Sequence, residues 1–407
     1  MIRRSFLKTI GAGSLAAFYC GRPSAAVPSN QARLDRDGRM GMDPWLEIDP
    51  AAIAWNFHRV KGHAKVPVMA VVKANAYGHG LVEVSKTLEK AGADWLMVGK
   101  VGEGITLREA GISRPILNFG PWAPQESAEL VGRGISQSVY TEDVGALQEA
   151  ASKLKKTASV HVDVDTGMGR TGISYDRALP LIERIASLRG VKIEGICTTL
   201  TEDPEFDREQ VRRLVDLCTS AQQRRIALGL RHASSSAGIL ASSEFSLDMV
   251  RPGIALYGYY PNARTRKEDV LGLKPALKLK ARVVFTRELA PGDSLSYLRA
   301  FKAPKRMRVA TLGIGYSDGY PPELGGKGFV RIRGKRFSML KAVTANHAMV
   351  DLGDDRQVEV GDEAVLIDST PGSGSTADAL AEQCCLSDYR ILIGLSPLLP
   401  RVQRDRS

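Results

Sequence analysis

The sequence between Trp45 and about Lys280 alternates short apolar runs with longer segments of helical periodicity. Including the run that ends at Val72, eight runs have the length and apolar content of buried strands. They lie at positions 68–72, 95–98, 115–118, 136–140, 158–164, 192–198, 230–233 and 250–255. Eight alternating strand and helix units form a TIM-type (β/α)8 barrel, whose active site lies at the C-terminal ends of the strands. We therefore predict an α/β barrel domain over residues 45–280.

Beyond Lys280 the pattern changes to short runs in which apolar and polar residues alternate, interrupted by glycine and proline. Such runs occupy positions 281–288, 307–314, 330–333 and 363–367. Alternation with a period of two is typical of strands that bury one face. The sequence therefore predicts an all-β C-terminal domain over residues 281–407.

The N-terminus has the features of an export signal. Arg3 and Arg4 precede a short apolar stretch, and small residues follow as far as Ala26. We expect a twin-arginine signal peptide over residues 1–26, which implies a periplasmic protein. The apolar stretch is too short and too rich in glycine to span a bilayer, so no membrane anchor is expected in the mature chain. Residues 27–44 lack periodicity and are expected to form a flexible lead-in.

Charge and aromatic content argue against nucleic acid as a partner. The formal net charge of +11 includes four positive residues of the predicted signal peptide, which leaves 11 − 4 = +7 for the rest of the chain. These charges are scattered, and aromatic residues make up 6% of the sequence. Nucleic-acid binding favours a basic stripe interleaved with aromatic residues. A soluble basic protein is therefore the better interpretation.

The cysteines predict neither a metal site nor a particular disulfide. Four of them lie outside the predicted signal, namely Cys197, Cys218, Cys384 and Cys385. Their spacing includes no CxxC pair and no cluster with histidine, and it cannot select disulfide partners. Cys20, within the signal, is an alternative lipoprotein acceptor, but the bulky residues before it disfavour that processing.

Lys73 is the first candidate catalytic residue. It follows the apolar run 68–72 and precedes Gly78, so it lies at the C-terminal end of a predicted barrel strand. A lysine that loses hydration there has a lowered pKa, and its free amine becomes available to form a Schiff base. The alternative is a solvated or ion-paired surface lysine, and the residues around Lys73 must decide between the two.

The string VVKANAYGHG, at positions 71–80, resembles the cofactor-lysine motif of the alanine racemase family. Proteins of that family bind pyridoxal phosphate on a TIM-type barrel followed by a β domain. Five further stretches between Trp45 and Arg401 match the family in the same order. The resemblance implies that Lys73 carries pyridoxal phosphate and that Tyr77 contacts its phosphate. A packing role at the barrel mouth is the alternative for Tyr77.

A second matching string, DTGMGR at positions 165–170, is similar to a family element in which the arginine contacts the cofactor and the substrate carboxylate. The resemblance assigns that role to Arg170, whose planar guanidinium suits two anions. Many relatives hold this arginine with a carbamylated lysine, and here that position is Asp163. We predict an ion pair between Asp163 and Arg170, with Asp163 facing elsewhere as the alternative.

The resemblance also implies the remaining cofactor contacts. The hydroxyl of Ser236, the backbone N–H groups of Gly253 and Ile254, and Tyr389 correspond to phosphate contacts. Arg251 corresponds to the partner of the pyridine nitrogen. Because arginine cannot accept a proton, it keeps that nitrogen unprotonated.

Racemisation needs acid and base groups on opposite faces of the substrate α-carbon. The resemblance implies that Lys73 serves one face and Tyr297 the other. In the family this tyrosine comes from the partner subunit, so a homodimer with shared active sites is expected. Tyr316 is carried over as a substrate-pocket residue. A packing role is the alternative for Tyr297.

Two departures from the family pattern bear on activity. Thr199 occupies a position where many relatives have histidine. Ala345 and Asn346 replace a methionine and an aspartate of alanine-specific relatives, which enlarges the substrate pocket and removes a negative charge. These changes indicate a broad-spectrum amino-acid racemase that acts on alanine and on longer L-amino acids.

Several alternatives remain beside this hypothesis. The first is a strict alanine racemase. From other classes, a non-catalytic pyridoxal phosphate carrier is disfavoured by the β domain, and a cell-wall-binding homologue by the presence of Lys73 and Tyr297. A decarboxylase on the same barrel would need a carboxylate at the pyridine nitrogen, where this chain has Arg251.

Overall fold

The computed structural model describes residues 41–404, so the predicted signal peptide and most of the lead-in lie outside the described residues. The strands of this part are β1 (Trp45–Ile48), β2 (Met69–Val71), β3 (Trp95–Val98), β4 (Ile116–Asn118), β5 (Ile135–Val139), β6 (Ala158–Asp165), β7 (Ile173–Ser174), β8 (Val191–Cys197), β9 (Leu230–His232), β10 (Leu277–Leu289), β11 (Ser294–Leu295), β12 (Phe301–Lys302), β13 (Met307–Leu312), β14 (Phe329–Ile332), β15 (Lys335–Val343), β16 (Ala348–Gly353), β17 (Glu363–Ile367) and β18 (Arg401–Gln403).

The α-helices of the same part are α1 (Pro50–Ala64), α2 (Lys73–Tyr77), α3 (Leu81–Lys90), α4 (Val101–Glu109), α5 (Ser127–Gly132), α6 (Val144–Leu154), α7 (Ala178–Ser187), α8 (Pro204–Gln223), α9 (Ser236–Ala241), α10 (Ala263–Glu268), α11 (Ala377–Cys384) and α12 (Asp388–Gly394). Caps fix where the longer ones begin. The Asp49 carboxylate accepts from the N–H of Ala52 at 3.0 Å at the start of α1, and Asp203 caps α8 in the same way. Within residues 41–404 no helix is both long and apolar enough to cross a membrane.

Parallel strands form the barrel in the order β2-β3-β4-β5-β6-β8-β9. The ring closes between β9 and β2 through single bridges, from His232 to Met249 and from Val250 to Val68. The N–H of Met69 also donates to the Val250 carbonyl at 2.9 Å. All of β2 is buried, as expected for a strand covered by helices on one face and by the barrel interior on the other. The predicted barrel is confirmed.

Seven of the eight predicted barrel strands are confirmed, and each end agrees to within one residue. The prediction of a strand over residues 250–255 was wrong. Only Met249 and Val250 form bridges there, and a 3-10 helix follows at Ile254–Tyr257. The carbonyl of Pro252 still accepts from the N–H of Val71 at 3.0 Å, but Pro252 has no N–H of its own to donate to β2, so the ladder ends there. The backbone then bends across the mouth of the barrel.

The second sheet is antiparallel apart from one pair, with the order β13-β16-β15-β14-β17-β10-β1-β18, and it closes because β10 also pairs with β13. This β-rich second unit confirms the predicted fold class, but it is not all-β as predicted, because it also contains helices α11 and α12. Strand β1 pairs with β10 and, in parallel, with β18, so both ends of the described chain lie in this sheet. The predicted domain boundary, near residue 280, falls within β10. The four cysteines described are free thiols, and only Cys385 is exposed.

Candidate active site

Lys73 lies at the C-terminal end of β2, where the backbone takes an unusual course. Ala74, Asn75, Ala76 and Tyr77 all have positive φ, between 52° and 55°, so the segment labelled α2 is a left-handed turn and not a right-handed α-helix. Left-handed helical geometry costs about 1–2 kcal/mol for each residue with a side chain. Such strain persists only where the surrounding structure holds it in place, and it is concentrated at functional sites. We call residues 73–80 the lysine turn.

The lysine turn directs Tyr77 toward the other predicted phosphate contacts. Its ring stacks on Tyr257 with 4.8 Å between centroids and lies 5.7 Å from the ring of Tyr389. A Cβ added to Gly253 would lie 2.4 Å from the Tyr77 hydroxyl, so only glycine allows this approach. Burial raises the pKa of both Tyr77 and Tyr389, which keeps each phenol a neutral donor.

Ser236 belongs to the same group. Its hydroxyl oxygen accepts from the N–H of Gly253 at 3.0 Å and from that of Ala255 at 3.3 Å. Ser236 begins α9, and the adjacent Ile254 begins the 3-10 helix that follows the barrel. The structure therefore brings Ser236, Gly253 and Ile254 together beside Tyr77. The N–H of Gly253, predicted to contact the phosphate, instead donates to Ser236, so the hydroxyl hydrogen of Ser236 and the N–H of Ile254 are the donors of this group that suit a phosphate.

Arg251 is only 5% exposed and is held by backbone carbonyls. One terminal nitrogen donates to the carbonyl of His232 at 2.8 Å and to its Nδ1 at 2.6 Å. The other donates to the carbonyls of Thr198 and Ala233, at 2.7 and 3.1 Å. These acceptors fix the guanidinium plane. Arg251 is thus a rigid donor that can offer no proton acceptor to a ligand ring.

Two buried histidines behind Arg251 were missed by the sequence reasoning. Because arginine only donates, His232 must carry its proton on Nε2, which lies 2.8 Å from Nδ1 of His161. Burial and the charge of Arg251 lower the pKa of His161 to about 3 and that of His232 well below its usual value. Both rings are neutral. The available signal was their position in predicted barrel strands, since His161 lies in the middle of β6 and His232 at the C-terminal end of β9.

Burial lowers the pKa of Lys73, as predicted, and the positive charges of Arg170 and Arg251 lower it further. Glu103 acts in the opposite direction and raises it. A lysine with a lowered pKa holds a larger share of neutral amine, which is the nucleophilic and basic form. The electrostatic surroundings of Lys73 therefore suit covalent attachment of an aldehyde.

The predicted ion pair between Asp163 and Arg170 was wrong. Asp163 is buried, accepts from the hydroxyl of Thr171 at 3.2 Å and lies 3.9 Å from Sγ of Cys197. Arg170 is exposed and forms no ion pair with any residue in the range 41–404. The separation follows from the strand, because Asp163 lies within β6 and faces inward whereas Arg170 lies on the loop beyond its end. Burial raises the pKa of Asp163, against the charge of Arg251.

Helix α8 holds the loop that carries Arg170. Arg213 donates to the carbonyl of Thr166 at 2.8 Å, and Gln210 donates to its hydroxyl at 3.2 Å. Gln210 also donates to the carbonyl of Thr199 at 3.0 Å. Thr199, which the sequence analysis singled out as a departure from the family pattern, thus contributes its backbone to this network. Sequence reasoning missed Arg213 and Gln210, which lie far from the glycine-rich string.

The predicted substrate residues of the β domain form one surface. The carbonyl of Ala345 accepts from the hydroxyl of Ser317 at 2.7 Å, and the amide of Asn346 donates to the same hydroxyl at 2.9 Å. Tyr316 precedes Ser317 and is exposed. Tyr297 is 81% exposed, and its side chain makes no hydrogen bond or ring contact within the described chain. The structure brings Tyr316, Ala345 and Asn346 together and leaves Tyr297 facing outward.

These residues fit pyridoxal phosphate. Lys73 can bind its aldehyde, and the donors around Tyr77 and Ser236 can bind its phosphate. The space beside Gly253, which a Cβ would fill, brings the Tyr77 hydroxyl close to the phosphate-binding backbone. Arg251 can donate to its ring nitrogen. Fold and site together define a pyridoxal phosphate-dependent enzyme built on a barrel with a C-terminal β domain.

Comparison with known proteins gives the family. The model of the alanine racemase N-terminal domain matches residues 48–261, and the model of the C-terminal domain matches residues 276–403. The chain belongs to the alanine racemase family, whose members are pyridoxal phosphate-dependent isomerases.

Relatives match over nearly their whole length. The alanine racemase of Halothermothrix orenii is 36% identical over 375 residues, which cover 90% of this chain and 98% of the relative. The alanine racemase of Symbiobacterium thermophilum is 39% identical over 368 residues, or 89% and 97% of the two chains.

Solved structures of alanine racemases share this fold. The enzyme of Clostridium difficile 630 superposes with a TM-score of 0.84 and 31% identity, over 89% of this chain and 96% of the other. A structure of the Bacillus anthracis enzyme with bound L-Ala-P has a TM-score of 0.83 and 29% identity, over 90% and 96%.

Proposed function

We propose that this racemase interconverts the L- and D-forms of several amino acids, including alanine and substrates with longer side chains. The proposed breadth of the substrate range is supported by one observation, the surface formed by Tyr316, Ser317, Ala345 and Asn346. The methyl group of Ala345 leaves room that a longer residue would fill. The amide of Asn346 is held by Ser317 and carries no charge, so neither size nor charge there excludes a long cationic side chain.

The proposed reaction moves one proton off the α-carbon and returns one from the opposite face. Pyridoxal phosphate, when bound, supplies the electron sink that makes the α C–H acidic. Arg170 is expected to bind the substrate carboxylate, since its guanidinium is exposed at the barrel mouth. Lys73 holds or accepts the proton at Nζ on one face, and Tyr297 does so at its hydroxyl on the other.

The second base is proposed to come from a second copy of the chain. Tyr297 and Leu298 are 81% and 101% exposed and lie on a 3-10 helix that projects from the β domain. A homodimer that buries this helix against the partner's barrel would bring each tyrosine to the other subunit's lysine.

A strict alanine racemase is the second candidate. Its support is that the relatives described above are all called alanine racemases. The two candidates differ only in the pocket and share the chemistry of Lys73 and Tyr297, so substrate ranking separates them.

Export to the periplasm by the twin-arginine route is part of the proposal and rests on the sequence of residues 1–26. Replacement of both Arg3 and Arg4 by lysine tests it. We expect the wild-type protein in the periplasmic fraction and the double variant in the cytoplasm. If the wild type and the double variant were divided between periplasm and cytoplasm in the same proportions, the proposed route would be contradicted.

The activity is tested by chiral chromatography after the purified protein, with pyridoxal phosphate, is incubated with each L-amino acid separately. We expect D-alanine together with D-lysine, D-arginine and D-methionine, and no product from Lys73→Ala protein. A preference for alanine of about a hundredfold or more over the other three would establish the strict alanine racemase instead, since pocket discrimination reaches this size.

A further inference from the structure

We propose that Glu103 is a positioning residue for Lys73, which it serves by holding the lysine turn with both oxygens of its carboxylate. Glu103 lies in the first turn of α4, just beyond β3. Oε1 accepts from the N–H of Asn75 at 3.2 Å, and Oε2 accepts from the N–H of Gly99 at 3.0 Å. One side chain therefore joins the left-handed turn to the end of the neighbouring strand. The inference rests on the proposed racemase function.

The hydrogen bond between Asn75 and Glu103 lies within the left-handed part of the lysine turn. Asn75 is the second of the four residues with positive φ, and its own side chain accepts from the N–H of Leu81 at 2.8 Å. Its backbone and side chain thus connect the turn to α4 and α3 respectively. A hydrogen bond to a carboxylate is roughly twice as strong as one between neutral groups. Glu103 therefore helps to offset the strain that places Lys73 at the barrel mouth.

Glu103 also lies close to the lysine side chain. A Cβ built on Gly99 would be 3.3 Å from Cβ of Lys73, 3.6 Å from its Cδ and 3.8 Å from Oε2 of Glu103. The small gap over Gly99 is thus bordered by the stem of Lys73 and by the carboxylate. Glycine at this position lets the two side chains share one side of the strand end.

The charges that face Lys73 come from three elements. Arg170, on the loop after β6, and Arg251, after β9, are positive, and Glu103 on α4 is negative. Burial and the two arginines lower the pKa of Lys73, and Glu103 opposes them. Glu103 is therefore the counter-charge that lets the lysine hold a proton during turnover. Its loss should reduce kcat more than it changes KM, because the amine must both accept and return a proton.

The first test measures Lys73 directly. Full-length protein freed of its cofactor is labelled with acetic anhydride at a series of pH values, and mass spectrometry quantifies modification of the peptide that contains Lys73. Only the neutral amine reacts. In Glu103→Gln protein the labelling midpoint of Lys73 is expected at lower pH than in the wild type, because Arg170 and Arg251 are then unopposed. Glu109→Gln is the matched control, since Glu109 lies on the same helix and pairs with Arg133 at the surface.

Hydrogen exchange of the amides of residues 74–80 measures whether Glu103 holds the lysine turn in place. We expect exchange about fivefold faster in Glu103→Gln protein, as follows from one weakened hydrogen bond. Glu103→Asp keeps the charge but has a shorter reach. It should accelerate exchange while leaving the labelling midpoint closer to that of the wild type, which separates the geometric role from the electrostatic one.

Either of two results in folded protein would overturn the proposal. One is a labelling midpoint in Glu103→Gln equal to that of Glu109→Gln, and the other is unchanged exchange in both Glu103 variants. If Glu103→Gln fails to fold, Glu103→Asp still tests the geometric role through exchange. A wild-type protein that racemises no amino acid would contradict the proposed function but would leave both readouts unaffected.

Discussion

Nε of Arg401 donates to the carbonyl of Gly78 at 2.8 Å, and this contact ties the last strand of the described chain to the lysine turn. The remaining guanidinium nitrogens donate to carbonyls in the segment that precedes β18, including that of Leu399 at 2.7 Å. Within the described structure Arg401 has no carboxylate partner. Burial lowers its pKa to about 10, and it remains charged at neutral pH.

Replacement of Arg401 by methionine is therefore expected to loosen the lysine turn. It removes a charged donor from several backbone carbonyls, and we expect the free energy of unfolding in urea to fall by about 2 kcal/mol. The affinity for pyridoxal phosphate, measured by equilibrium dialysis, should fall as well. Arg390→Met, which removes an exposed arginine from α12, is the control. Equal cofactor affinity in the two variants would show that Arg401 does not act on the site.

Gly253→Ala is expected to displace Tyr77. The new methyl group would lie 2.4 Å from the Tyr77 hydroxyl and 3.0 Å from its Cζ, closer than any side chain tolerates. Overpacking of this kind costs about 1–3 kcal/mol, so we expect cofactor affinity to fall by about tenfold or more. Gly62→Ala, in open space on α1, is the matched control and should retain wild-type affinity. Equal affinities would mean that Tyr77 makes no important contact with the phosphate.

The buried histidines predict a pH dependence of stability. The pKa of His161 is about 3 in the folded protein, below its usual 6.5, so the unfolded chain binds more protons between these values. The contribution of the neutral histidine to the free energy of unfolding is therefore fully present above pH 6.5 and is lost as the pH falls toward 3. The loss is up to about 1.4 kcal/mol per pH unit for each histidine. Urea titrations of His161→Gln protein should show a shallower dependence than those of His63→Gln, which changes an exposed residue. Identical slopes would mean that His161 titrates normally.

Substitution of Ala345 by methionine together with Asn346 by aspartate is expected to narrow the substrate range. The ratio of kcat/KM for lysine to that for alanine should fall by about tenfold or more, because the pocket loses volume and gains a charge. Ala51→Met, an exposed change on α1, controls for the added side chain. An unchanged ratio would place the determinant of specificity elsewhere.

Mixed dimers test whether the active site is shared. Lys73→Ala and Tyr297→Phe homodimers should each be inactive, since each lacks one base. After unfolding and refolding of an equal mixture, half of the dimers combine the two variants, and each of these has one complete site. We expect about one quarter of the wild-type activity. No recovery would indicate that both residues act within one chain, and an active Tyr297→Phe homodimer would show that Tyr297 is not a base.

The pattern of apolar runs was sufficient to predict the barrel because a buried parallel strand is apolar along its whole length. The same signal failed at residues 250–255, where the apolar segment joins the sheet only at its start and then continues as a 3-10 helix. Apolar content reports burial, and it does not distinguish a strand from a buried 3-10 helix. Only the position of Pro252 hinted at the difference.

The site was predictable where a short string carries the chemistry and unpredictable where distant elements meet. Lys73 and Tyr77 belong to one string. Glu103 and Arg401 act on that string from α4 and β18, and neither has a local pattern that separates it from a surface residue. The error over Asp163 has the same origin, since spacing along the chain cannot say which way a strand residue faces.

The parallel pairing of β1 with β18 has a consequence for how the protein is made. Leu46 is opposite Arg401 in this pair, so β1, which also pairs with β10, meets its second neighbour only after a segment 401 − 46 = 355 positions further along the chain has been synthesised. Contacts between such distant segments form slowly. The barrel and the β10–β13 closure of the second sheet can form as the ribosome advances, but β1 keeps one unpaired edge until β18 has been synthesised. Arg401 reaches the lysine turn from β18, so this support of the turn also forms only after the more than 300 residues between them have been synthesised.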